Sequence, residues 1–199
     1  MILSEVTTVP DAALPVEEFK AHLRLGSGFG TDDVQDAVLF SFLRAAVTAV
    51  EARTSKVLFE RAFLAGFTTW RAADAQPLPL APVRDVSNVV LVDRSGVRTD
   101  VEADAYWLER DTHCPRLRAV GARLPAVPYS GMAEVELTAG YGQAWTDIPA
   151  DLRQAVLLLA AHYYEYRDET ALAEGCMPFG VASLIERYRI VRLYGGGAR

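Results

Sequence analysis

The stretch Asp147-Ile148-Pro149-Ala150-Asp151-Leu152-Arg153-Gln154-Ala155-Val156-Leu157-Leu158-Leu159-Ala160-Ala161-His162-Tyr163-Tyr164-Glu165-Tyr166-Arg167 decides the fold. Its first residues open a helix: a proline suits the first turn, and acids there favour the positive end. Leu152, Ala155, Val156, Leu159 and Tyr163 then follow the helical step on one face, and Leu157, Leu158, Ala161 and Tyr164 fill much of the rest. A helix apolar nearly all round must be covered on nearly all sides. In a chain of 199 residues, another subunit is a natural cover.

Working outward, residues 168–180 read as a loop, Val181 to Leu193 as a last helix, and 194–199 as a flexible, glycine-rich tail. Upstream, a second long helix is expected from an N-cap at Thr31 to about Ser55. Val34, Val38, Ser41, Ala45 and Ala49 share one stripe, and Leu39, Phe42, Ala46 and Val50 another. A short helix is expected over Leu14–Arg24, joined to it by Gly26-Ser27-Gly28-Phe29-Gly30. Residues 1–13 show no period and read as an arm.

Between these helical parts the pattern changes. Phe59 to Phe67, Val86 to Val92, Val97 to Val101, Tyr106 to Glu109 and Ala133 to Thr138 alternate or are β-branched, with turn residues such as Asp93-Arg94-Ser95-Gly96 between them. Seven of the ten prolines lie between Pro77 and Pro149, which suits short strands and irregular links. The expectation is a single domain, mainly α, with a small antiparallel β subdomain inserted. Its parts are an arm at 1–13, helices over 14–56, the β insertion at 57–146, helices over 147–193 and a tail at 194–199.

Composition narrows the function. Apolar residues make up 51% of the chain, enough for a real core, and the net charge of −6 argues against a protein that coats DNA, which needs clustered cations. The longest apolar run, Ala155 to Ala161, is far short of the roughly 20 residues a membrane helix needs. Met1 to Glu5 lack the basic start of a signal peptide. Cys114 and Cys176 stand apart, as expected of a reducing compartment without disulfides.

The motifs for catalysis are weak. The glycines at 26–30 follow a helix rather than a strand and read as a linker, and Gly140-Tyr141-Gly142 follows a strand but has no nearby lysine and reads as a turn, so neither is a phosphate cradle. His22, His113 and His162 lack metal-ligand spacing. His113-Cys114-Pro115 reads as a turn. No nucleophile, base, metal or cofactor loop is assigned.

The C-terminal segment is more informative. Arg187, Arg189, Arg192 and Arg199 stand against one acid, Glu186, and alternate with Tyr188, Ile190, Val191, Leu193 and Tyr194. Arginine and tyrosine beside aliphatics suit a protein interface. A terminal helix docked on its own domain is the plainer reading. A different class of function is a monomeric assembly or accessory module that contacts nucleic acid through Arg116, Arg118, Arg123 and the terminal arginines.

Several segments in order resemble one family. They are Val16-Glu17-Glu18-Phe19-Lys20-Ala21-His22-Leu23-Arg24, Ala45 through Thr54 with Glu51, Leu80-Ala81-Pro82-Val83 with Val89 to Asp93 and Gly96, Val135 to Gly142, Ile148-Pro149-Ala150-Asp151-Leu152-Arg153-Gln154-Ala155, Tyr164 to Arg167, and Pro178-Phe179-Gly180 with Tyr188-Arg189. Together they resemble the head–tail connector (adaptor) proteins of tailed phages and gene transfer agents. The glycine-rich 26–30 loop and the 1–13 arm depart from that pattern. The resemblance implies a ring of about twelve copies beneath the portal of a virion-like particle, joined to the next neck protein, with double-stranded DNA passing through its lumen and no cofactor. On that reading Tyr188, Arg189, Val191, Arg192, Leu193 and Tyr194 are the expected portal contacts. Leu39, Phe42, Leu157, Leu158 and Tyr164 are the expected packing residues between subunits.

Overall fold

The computed structural model describes residues 1–24, 33–166 and 177–189, and of residues 33–35 only the backbone. Among these stand four α-helices and eight strands. The helices are α1 (Val16–His22), α2 (Asp33–Thr54), α3 (Ala150–Glu165) and α4 (Phe179–Ile185). The strands are β1 (Ile2–Glu5), β2 (Arg61–Phe67), β3 (Ala75–Pro77), β4 (Val83–Val92), β5 (Arg98–Asp100), β6 (Tyr106–Glu109), β7 (Arg116–Ala119) and β8 (Met132–Ala139).

This corrects the expectation of a mainly helical chain. The strands form two antiparallel sheets, one of five in the order β1-β2-β8-β4-β5 and one of three in the order β3-β7-β6. The fold is a balanced α+β mixture. β1, β3 and β7 carry no alternation long enough to read, because partners distant in sequence hold them in place: Ile2 pairs with Gly66, and Ala75 with Arg118. The last helix is also shorter than expected. α4 ends at Ile185 and tightens into a 3-10 turn at Glu186–Tyr188, and Arg189 is extended.

Two apolar clusters organise the chain. In the first, Leu39, Leu43, Val47 and Val50 of α2 meet Leu152, Val156 and Leu159 of α3, with Phe19 of α1 and Val181 and Ile185 of α4 closing it. Fully burying each such aliphatic side chain contributes about 1.5–3 kcal/mol. The second lies between the sheets, with Phe63, Phe67, Val89, Val135 and Leu137 from one and Tyr106 and Leu117 from the other. Alternation along β8 puts Ala133, Val135, Leu137 and Ala139 inward and Glu134, Glu136 and Thr138 outward.

A polar keystone ties α2 to the larger sheet. Arg61, only 9% exposed, grips both Glu51 oxygens at 2.8 and 2.7 Å and Glu5 Oε1 at 3.0 Å. Glu51 Oε1 also accepts the Leu58 backbone N–H at 2.7 Å. Burial pushes the Glu51 carboxyl above the usual range, with the Arg61 cation opposing it.

Candidate functional site

The link from β8 to α3 places the C-terminal segment. Gly140 adopts φ +134°, and a Cβ there would lie 2.5 Å from the Glu60 backbone. The Glu60 N–H donates to the Gly142 carbonyl at 2.7 Å. Gly140 thus lets two backbones approach closely, while Gly142 leaves room for the Asp147 side chain, whose Oδ2 accepts the Ala144 N–H at 3.0 Å. The helix that follows starts at Ala150, with Asp151 in its first turn.

Asp151 is the anchor of the C-terminal segment. Its Oδ1 accepts the Tyr188 hydroxyl at 2.7 Å, and its Oδ2 pairs with the Arg187 guanidinium at 2.7 Å. Arg187 also donates to the Tyr188 oxygen at 2.5 Å and lies 4.8 Å from the centre of that ring. Burial, then the bond to Asp151, raises the Tyr188 hydroxyl above its ordinary pKa. Nearby, burial pushes the Tyr141 hydroxyl up to about 12. Asp151 and Arg187 were not singled out in the sequence as partners. The available signal was an acid in the first turn of a helix otherwise apolar, facing a basic terminal segment.

Of the expected portal contacts, Tyr188 is 6% exposed and bound to the chain's own α3. Arg189 is exposed and pairs with Glu186 at 2.9 Å. Val191, Arg192, Leu193 and Tyr194 lie outside the described residues. Tyr188 therefore ties the last described turn to α3.

Among the expected packing residues, Leu39 is 2% exposed and sits with buried Leu157 in the helical core. Phe42 and Tyr164 meet edge to face with centroids 6.0 Å apart, and both are half-buried, as is Leu158. The chain itself thus covers much of α3, leaving a strip at Leu158, Ala161 and Tyr164 on α3 beside Phe42 of α2 partly open.

Of the candidate nucleic-acid contacts, Arg192 and Arg199 lie outside the described residues. Arg118 is held by Glu109 at 2.8 Å and Asp74 at 2.9 Å, while Arg116 and Arg123 are exposed. The Asp111 carboxylate accepts the His113 and Cys114 backbone N–H groups at 2.7 and 2.6 Å, forming a turn. That loop covers Lys56, whose ammonium donates to the Thr112 carbonyl and lies 3.3 Å from His113 Nδ1. An open groove of about 550 Å³ beside α2 holds Asp11, Asp36, Phe40 and Arg44. Its acids are already paired, Asp11 with Arg44 at 2.6 Å and Asp36 with Lys20 at 2.7 Å. No helix among the described residues is long and apolar enough to cross a membrane, and they contain no group of three or more His, Cys, Asp or Glu placed to hold a metal ion.

No protein-family model matches the sequence, and no curated protein does. Solved structures do. A chain in the neck of an empty GTA particle, computed with C6 symmetry, is 52% identical, with TM-score 0.89 over 98% of this chain and 99% of that one. The chain belongs to the head–tail connector (adaptor) family of tailed phages and gene transfer agents. A chain in the neck of the native GTA particle, computed with C12 symmetry, is 49% identical with TM-score 0.85, again over 98% and 99%. A third, in the virion of the native gene transfer agent particle, is 52% identical over the same shares with TM-score 0.87. This connector is a structural neck protein of a virion-like particle.

Proposed function

We propose that this connector is the adaptor of the neck, assembled as a ring of about twelve copies between the portal and the next neck protein. Double-stranded DNA crosses its lumen without specific binding. The observation that carries the reading is the end-to-end match, at 52% identity, to a chain in the neck of a GTA particle. The C12 and C6 symmetries of the related necks support a closed ring of copies. The net charge of −6 and the neutralised Arg118 suit a wall past which DNA slides rather than one to which it adheres.

On this reading, copies meet through the partly open strip of Phe42, Leu158 and Tyr164, with Leu39 and Leu157 packed behind it. The segment starting at Arg189, with Val191, Arg192, Leu193 and Tyr194, docks on the portal, while Tyr188 is the clamp from which it projects. A portal pull-down tests the docking. Removing everything beyond Arg189 leaves the Asp151–Arg187–Tyr188 cluster intact, and binding to the portal is expected to be lost. Unchanged binding would refute the docking. A salt titration with duplex DNA is expected to show no steep dependence; a steep slope would favour a nucleic-acid-binding accessory module instead.

A further inference from the structure

β1 is an edge strand with nothing covering it among the described residues. Ile2–Glu5 pair with Gly66–Phe63 of β2 without a register shift, and all four are exposed. The apolar side chains on or beside it, Ile2 (58% exposed), Leu3 and Val6 (63%), stand in the open. The strand carries no proline, lysine or bulge, three devices that keep a sheet edge from pairing, and its one charge, Glu5, is paired with Arg61 of β2.

The ladder fixes which backbone groups are free. The Val6 N–H donates to the Ala62 carbonyl at 2.8 Å, so by antiparallel alternation Ser4 and Ile2 also face β2. The N–H and C=O of Leu3 and Glu5 therefore point away from the sheet. At the opposite edge, the Val101 N–H donates to Val89 and the Asp93 N–H to Val97. Thr99 thus faces β4, and Arg98 and Asp100 point outward. Four antiparallel pairings separate β1 from β5, so the two edges run parallel.

We infer that the edge of β1 is completed by β5 of a neighbouring copy of this chain, so that the five-stranded sheets join side by side around the ring. This rests on the ring reading above. A rotation about an axis along the strands carries one copy to the next without reversing either edge, and such a head-to-tail contact closes into a ring. The chemistry of the edge calls for an extended backbone, and the related necks supply further copies in C12 and C6 arrangement.

The test uses particles made with Leu3→Pro in place of the wild-type chain. Proline at Leu3 deletes an outward N–H and no bond to β2, so the purified chain is expected to keep the wild-type melting profile. Its content in particles is expected to fall at least about tenfold. A second variant, Leu3→Cys with Thr99→Cys, joins positions that a parallel ladder sets side by side on one face, because Leu3 bonds outward and Thr99 bonds to β4. It is expected to give disulfide-linked multimers of this chain in particles, and neither single cysteine should do so. Incorporation of Leu3→Pro at more than half the wild-type level would overturn the inference and leave the ring reading standing. So would cysteine-pair links only to a different polypeptide. Absence of the wild-type chain itself from particles would overturn both.

Discussion

Replacing Arg61 by alanine removes the cation that neutralises a carboxylate inside the fold. Arg61 supplies both bonds to the Glu51 carboxylate, which is itself only 16% exposed, and a third to Glu5 on β1. After Arg61→Ala, Glu51 keeps one donor, the Leu58 N–H. Breaking a buried pair by removing one partner costs about 3–5 kcal/mol. For a domain of this size each kcal/mol moves Tm by about 2–4 °C, so a drop of roughly 6–20 °C is expected. The loss depends on pH. Burial already raises the Glu51 pKa, and removing Arg61 raises it further. An acid with a raised folded-state pKa contributes stability that is fully present below its unfolded pKa and lost as pH rises through the folded one. The gap between variant and wild type should therefore narrow from about pH 7 to about pH 5. Thermal and urea unfolding followed by circular dichroism measure it. A loss under about 1 kcal/mol, or a gap equal at both pH values, would refute the keystone.

Other changes probe separate parts. Leu159→Ala empties a buried site between α2 and α3 and should cost about 2–5 kcal/mol in urea unfolding. Gly140→Ala forces a side chain into φ +134° against Glu60, and a loss of at least about 1–3 kcal/mol is expected from the same assay. Tyr188→Phe removes the hydroxyl between Asp151 and Arg187; stability should fall by about 1 kcal/mol, and proteolysis after Arg187 or Arg189 should quicken. Burial lowers the Lys56 pKa, so the folded state releases a proton that the unfolded chain keeps. Stability from this group therefore rises with pH between the lowered value and the ordinary lysine range. Lys56→Met should abolish that slope in melts across alkaline pH without lowering Tm.

Long periodic elements were legible in the sequence because they carry their own signal. The helix expected from Asp147 begins at Ala150 after a 3-10 turn, and the strand expected over Tyr106 to Glu109 has those bounds. β1 was not legible, since four residues with no period become a strand only when Gly66 to Phe63 lie beside them. With β1, β3 and β7 missed, two sheets were read as one small β insertion in a mainly α chain. The strongly apolar α3 pointed to a neighbouring subunit, yet much of its cover comes from α2, α1 and α4 of the same chain. Tyr188 shows the same limit at the candidate site. A tyrosine among arginines suits both a docking segment and an internal clamp, and only its distance to Asp151, which the sequence does not carry, distinguishes the two.

The central claim is the place of this chain in the particle, and cryo-electron microscopy of intact particles tests it most directly. The account predicts a twelvefold ring of this α+β fold beneath the portal, with the segment after Arg189 reaching the portal and the lumen open to DNA. Density for this chain away from the neck, or a neck that lacks it, would contradict the account.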